Sequence, residues 1–192
     1  MIYENETIKL VPFTRKHVTD EYKSWFTCPD VTRYNSHGVF DMTDSKIESF
    51  LASIDNGDCI VWAILYKKTG KVNRIEIDLS THIGNISLQS IDYTNSSAEL
   101  AVIIGNKDYW GKGIATQAGR FLLEHAFNKL NLNRVYLGTC DLNAGMKKVA
   151  ESLGMLQEGI SRQSMYLHGN YEDVVSYGII KEDWLKHGSK EK

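Results

Sequence analysis

From Ile104 to Thr116 the sequence reads Ile-Gly-Asn-Lys-Asp-Tyr-Trp-Gly-Lys-Gly-Ile-Ala-Thr. A strand-like run, Ala98 to Ile104, leads into it, and helical spacing leads out of it from about Gly113 to Lys129. The first backbone N–H groups of such a helix have no partner within it. Together with the helix dipole they favour an anion. Gly111 and Gly113 lack the Cβ atoms that would hold a phosphate away from the backbone, and Lys107 and Lys112 add positive charge. The chemistry this predicts is the holding of a phosphate. Two common phosphate loops do not fit. The Walker string is absent, and Gly111-x-Gly113-x-x-Thr116 lacks the third glycine of the dinucleotide fingerprint. Taken by itself, the glycine pair describes a tight strand-to-helix turn equally well.

The rest of the composition narrows the classes. The chain has 192 residues, 42% of them hydrophobic and 24% charged, with a formal net charge of −2. That balance excludes a disordered, collagen-like or nucleic-acid-coating chain and offers no global field for DNA, RNA or an anionic membrane. One domain spanning 1–192, with its core at about 7–184, is expected. Met1 to Glu6 is acidic, so no secretory leader is expected, and the longest apolar run, Cys59 to Tyr66, is too short for a membrane span. Cys28, Cys59 and Cys140 are odd in number and widely spaced. They read as reduced buried thiols of a cytoplasmic protein. No histidine pair has metal-ligand spacing, so no metal is expected.

The elements that must position the loop follow from periodicity. Thr7 to Val11 reads as a strand ending at Pro12. Thr14 is placed to cap a helix bearing Val18, Tyr22, Trp25 and Phe26, which Pro29 is expected to end. Thr43 or Asp44 caps a second helix, stopped at Asn56-Gly57. Strands are predicted at Cys59 to Tyr66, with Thr69-Gly70 as punctuation, then at Ile75 to Leu79, Ile83 to Leu88 and Ala98 to Ile104. After the long helix come a strand at Arg134 to Cys140, a helix at Ala144 to Leu153, and strands near Leu156 to Leu167 and Tyr171 to Ile180. The fold class is therefore mixed α/β (α+β), with a largely antiparallel central sheet flanked by helices.

Placed in this order, Trp110-Gly111-Lys112-Gly113-Ile114-Ala115 resembles the Q/R-x-x-G-x-G/A loop of the GNAT superfamily of N-acetyltransferases. Asn143, eleven residues before Gly154-Met155, resembles the family's N-x10-G-[F/M] helix. Tyr109 to Gly113, with Gly159, Arg162, Asp173 and Trp184, is similar to the RimJ/RimL-like branch. The resemblance runs from about Lys9 to Trp184 and is strongest from Ala98 to Met155. It implies a GNAT-like acyl-CoA N-acyltransferase fold and acetyl-CoA as co-substrate. The loop residues Gly111, Lys112, Gly113, Ile114, Ala115 and Thr116 would hold the pyrophosphate. The backbone of Ile103, Ile104 and Gly105 would hold the pantetheine arm, with an N–H near Ile103 serving the oxyanion. Asn143 would contact the pantetheine or acetyl group, and an N-cap before Ala144 is its other role. Lys147 and Lys148 face either the phosphates or solvent.

Acetyl transfer needs an amine, with a pKa near 10, to lose a proton. The resemblance implies Glu99 as the base, acting through water; a solvated strand carboxylate is the alternative. The usual proton donors of the family are missing, because Ala150 and Met146 stand where Tyr and Ser are common. Tyr166 and His168 are replacements for which spacing offers no argument. The acceptor is expected between the early helices and the closing hairpin, against Trp25, Arg33, Tyr34, His37 and Glu99, with Arg162 and Asp173 pairing across the hairpin. The favoured function is transfer of acetyl to a primary amine by direct attack, with a small-molecule acceptor such as an amino sugar or amino-acid derivative. A protein N-terminus of the ribosomal-protein type and a non-catalytic acyl-CoA-binding regulator are the alternatives. A homodimer is compatible with exposed sheet edges.

Overall fold

Alternating apolar and polar residues build most of the molecule into one sheet. The computed structural model describes residues 1–36, 42–72 and 75–188. Its strands are β1 (Tyr3–Glu4), β2 (Ile8–Pro12), β3 (Ile60–Tyr66), β4 (Thr69–Val72), β5 (Ile75–Asp78), β6 (Thr81–Asp92), β7 (Ser97–Ile104), β8 (Arg134–Cys140), β9 (Leu156–Leu167) and β10 (Asn170–Ile180). Its helices are α1 (Asp20–Trp25), α2 (Pro29–Thr32), α3 (Asp44–Asp55), α4 (Ile114–Glu124), α5 (Ala144–Ser152) and α6 (Lys181–Gly188). The eight-stranded sheet has the order β1-β2-β3-β6-β7-β8-β10-β9, and β4 and β5 form a separate pair. Neighbours in the sheet are antiparallel except β7 and β8, which run parallel. A parallel neighbour demands a long crossover, and α4 supplies it. The mixed, largely antiparallel sheet expected from the sequence is what forms.

The sheet has a core on each face. On one, Ile86 and Leu88 of β6 and Leu100 of β7 pack with Ile114, Ala118 and Leu122 of α4. On the other, Val61 and Ala63 of β3 pack with Tyr22 and Trp25 of α1 and with the neighbouring Phe13 and Phe26. α4 has an apolar stripe at helical spacing, which fixes which side of it meets the sheet.

Several boundaries differ from the sequence reading. Thr14 introduces only a 3-10 turn at Arg15–His17, and Thr19 caps α1 by accepting from the Tyr22 N–H. Pro29 does not end a helix but starts α2, where its missing N–H costs nothing. Thr69-Gly70 is the first half of β4 rather than a turn. The long helix changes to π geometry at His125–Lys129. β1 and α6 carried too few residues or too mixed a pattern to be expected. Thr43 is the cap of α3, and Asn56 and the left-handed Gly57 end it, as expected.

Gly105, just past β7, lies flat against the indole of Trp25, and a Cβ there would fall 1.8 Å from a ring carbon. This contact fixes the height of α1 over the sheet. Gly105→Ala is expected to lower stability by about 1–3 kcal/mol through overpacking. Urea unfolding checks this, and an unchanged midpoint would contradict the contact.

Candidate functional site

The parallel pair β7–β8 begins in register at Ser97↔Arg134, Ala98↔Val135 and Glu99↔Tyr136, and then stops. Beyond Tyr136, β8 pairs with β10 alone, while β7 continues beside β6 to Gly84↔Ile104. A wedge-shaped gap therefore opens between the strands, with Glu99 and Tyr136 at its apex. Backbone direction alternates along a strand. The Gly105 N–H donates to the Ile83 carbonyl at 2.9 Å, so Gly105, Ile103 and Ala101 face β6. Val102 and Ile104 then turn their N–H and C=O groups into the gap. Of these, the Ile104 carbonyl accepts from the Trp110 indole N–H at 2.7 Å.

The loop at the wide end of the gap is firmly built. The Asn106 side chain accepts from the Asp108 N–H at 3.1 Å, and the Trp110 N–H donates to the Lys107 carbonyl at 3.0 Å. Gly111 and Gly113 both have φ of 71°, a left-handed conformation that side chains resist. A Cβ at either would meet nothing within 4 Å, so backbone conformation is what demands glycine there. Gly113 caps α4 with no side-chain hydrogen bond, leaving the first N–H groups of the helix, from Ile114, Ala115 and Thr116, open to an anion. The two lysines differ in role. Lys107 is bound to Asp30 of α2 at 2.6 Å, which raises its pKa and lowers that of Asp30. Lys112 stays at the loop, its ammonium 5.0 Å from the Tyr109 ring.

On the α1/α3 face of the same strands lies a cavity of ≈ 310 Å³. Asn85, Ser87 and Gln89 of β6 line one wall, with Phe26, Ile47 and Phe50 opposite. Glu99 is the register partner of Gln89, so its side chain belongs to this face. At the other end, Tyr22 is 3% exposed, and burial pushes its phenol up to about 12. His82 Nε2 lies 2.8 Å from Asn85 Oδ1 and 3.1 Å from the Gly84 carbonyl. The ring of His82 also meets that of His17 at 5.3 Å. Burial, helped by neighbouring positive charge, lowers the pKa of both histidines.

The remaining expected residues fall in different places. Trp25 is 4% exposed and forms wall rather than surface. Arg33 is exposed on the turn after α2, paired with Asp30 at 3.0 Å, and its carbonyl meets His168 Nε2 from the β9–β10 hairpin at 3.3 Å. Tyr34 lies beneath the Arg33 guanidinium. His37 lies outside the described residues. Gly105, expected to bond a pantetheine arm, has its N–H committed to Ile83. Asn143 caps α5, its Oδ1 accepting from the Met146 N–H at 3.1 Å, which leaves its amide hydrogens for a ligand. Lys147 is paired with Asp141. Asp173 does not pair with Arg162. Its carboxylate accepts from the Gln163 N–H, at a bulge in the hairpin that turns the two side chains out of register. Tyr136, Asn85 and Tyr22 were not expected. Strand register alone brings them to the site, although the alternation of Asn85, Ser87 and Gln89 was visible as a polar stripe.

Residues 7–156 match the acetyltransferase (GNAT) domain family. The chain belongs to the GNAT family. GNAT acetyltransferases use acetyl-CoA. Among the relatives, the "Putative ribosomal N-acetyltransferase YdaF" of Bacillus subtilis is 40% identical over 101 residues, covering 53% of this chain and 55% of that protein. The spermidine N(1)-acetyltransferase of Vibrio cholerae is 31% identical over 103 residues, covering 54% of this chain and 59% of that protein. The chain thus spans little more than half the length of these two GNAT relatives. A crystal structure of a Vibrio cholerae spermidine N-acetyltransferase with CoA and spermine shares the fold, with a TM-score of 0.81 at 22% identity over 94% of this chain and 99% of that one. Among the described residues, no helix is long and apolar enough to cross a membrane, and no cluster could hold a metal ion.

The half-buried His17 and His82 give the GNAT fold a pH signature. Both are held below the ordinary value of 6.5 when folded, so the unfolded chain binds more protons just below that pH. Their contribution is complete above 6.5 and is lost as pH falls toward the folded values. Denaturation midpoints measured from pH 7.5 to 5 are expected to decline, and His82→Gln is expected to flatten the decline.

Proposed function

We propose that this chain is an acetyl-CoA-dependent N-acetyltransferase that acetylates a primary amine by direct attack in a ternary complex. The observation that carries this reading is the gap between β7 and β8, which runs from the Glu99–Tyr136 apex to the glycine loop. The gap-facing backbone groups of Val102 and Ile104 would pair with the amides of the pantetheine arm. The N-terminus of α4, with Gly111 and Gly113 keeping the approach open, would take the pyrophosphate. Acetyl-CoA supplies an acetyl group activated as a thioester.

The cavity borders the same strand from the opposite face, so an amine held there reaches the apex directly. An amine with a pKa near 10 arrives protonated. Glu99, on the cavity face, is the group we assign to draw off that proton, directly or through one water. An unpaired N–H of β7 in the gap serves as oxyanion donor. Ala150, buried in the core, and Met146, packed against it, carry no ionisable proton, so neither supplies the proton donor. Tyr136, the register partner of Glu99 across the apex, is the phenol we assign to protonate the departing sulfur. A small amine is the acceptor we favour over a ribosomal-protein N-terminus, because the cavity is small. We place the protein in the cytoplasm.

The replaced Tyr and Ser positions also favour a second reading, binding of acyl-CoA without transfer. The two separate in one assay. Acetyl-CoA, but not ATP, is expected to raise the melting temperature, and an amine panel is expected to release free thiol. Glu99→Gln is expected to slow that release about 100-fold or more, within the range for a lost general base, while the melting shift persists. A shift without thiol release from any amine would support the binding-only reading.

A further inference from the structure

The cavity beside β7 is built on one pair of small side chains. β6 and β7 present Asn85 opposite Ile103, Ser87 opposite Ala101 and Gln89 opposite Glu99. Side chains alternate along a strand, so these six share one face. The Ser87–Ala101 pair leaves a hollow in that face, bordered by Phe26, by Ile47 and Phe50 of α3, and by Val61 of β3. The polar members of the lining are already engaged with one another. Gln89 Nε2 donates to Ser87 Oγ at 3.0 Å. Asn85 Oδ1 lies 2.8 Å from His82 Nε2, and the Asn85 side chain also bonds the Tyr22 hydroxyl. Among the described residues, no buried side-chain nitrogen or oxygen lacks a hydrogen-bond partner. What the hollow offers a ligand is therefore apolar surface. Among its described lining residues, Lys46 is the only charged one, and none is a carboxylate.

We infer that the acceptor is a primary monoamine with a compact apolar body, of the arylalkylamine kind, rather than a polyamine or an amino sugar. The inference rests on the acetyl-transfer reading above and names the acceptor class for that same site. At about 3.3 Å per residue, Ala101 stands roughly 7 Å and Ile103 roughly 13 Å from Glu99 along β7. An amine nitrogen directed at Glu99 thus lays its body over Ala101, against the rings and aliphatic groups that border the hollow. Covering that surface removes apolar area from water, and the gain grows with the area covered. An aromatic body adds ring contacts with Phe26 and Phe50. An amino sugar would bring hydroxyls that lose water and meet wall groups already paired. A polyamine would bring further ammonium groups to a lining that holds a lysine and no carboxylate.

The test measures thiol release from acetyl-CoA by the full chain with phenethylamine, ethanolamine, glucosamine and spermidine. Rates are expressed per neutral amine, so that differences in amine pKa do not enter. Phenethylamine is expected to exceed each of the others in kcat/KM by about 10-fold or more, mainly through KM, since one methylene in an apolar pocket already counts on that scale. Ala101→Leu fills the hollow. It is expected to cut the phenethylamine-to-ethanolamine ratio about tenfold, with the acetyl-CoA melting shift retained. Phe50→Ala widens the hollow and is expected to move the preference toward the bulkier naphthylethylamine; it decides the question if Ala101→Leu does not fold. Equal use of the four amines, a preference for spermidine or glucosamine, or preferences that neither variant moves would overturn the inference while leaving acetyl transfer intact. Should no amine release thiol, melting shifts with CoA present decide. A larger shift with phenethylamine than with ethanolamine, lost in Ala101→Leu, supports the apolar body, and equal shifts overturn it.

Discussion

The divergence of β7 from β8 beyond the Glu99–Tyr136 pair is the constraint on which the site depends. A paired strand has its backbone groups satisfied, and a buried unpaired strand is costly. Here β7 keeps one side paired to β6 and leaves the other open along Val102 and Ile104. β8 can leave because β10 takes up its hydrogen bonds over the whole of Arg134–Cys140. The closing hairpin therefore lets the gap exist without unravelling the sheet.

Three contacts hold the wide end of that gap in place. At the wide end, the Trp110 indole bonds the Ile104 carbonyl, so the glycine loop is tied to the strand it follows. Beside it, Trp25 lies on Gly105, and Lys107 binds Asp30, which couples the loop to α1 and α2 over the cavity. These are different kinds of restraint. The ion pair is exposed and contributes little energy by itself. The Trp110 contact is a hydrogen bond, whereas the Trp25 contact is steric and fixes position because packed rings have few alternative arrangements. In the proposed reading, a ligand in the loop and an amine in the cavity would meet at one rigid strand.

Much of this was legible in the sequence, for physical reasons that can be named. β8 was read with its observed boundaries because it alternates cleanly, and the start of α5 because Asn143 marks it. The glycine loop stood out because left-handed backbone selects glycine at Gly111 and Gly113. Short elements failed. α2 has a single turn, too short to show a period, and Pro29 permits either an end or a start. Gly105 could not be separated from a ligand contact, because its partner, Trp25, is eighty residues away in the chain.

The sequence by itself determined the chemistry available: an anion-holding loop, a carboxylate at Glu99, an asparagine at a helix start, and a stripe of amides and hydroxyl on β6. Those signals are local, set by residue type and by period. Tertiary structure alone decided which groups share a space. Register put Glu99 beside Gln89 and across from Tyr136, and packing of α1 put Tyr22 against Asn85. Pairing between distant strands has no local signature, because a side chain's neighbours across a sheet are set by register and not by the residues next to it in sequence.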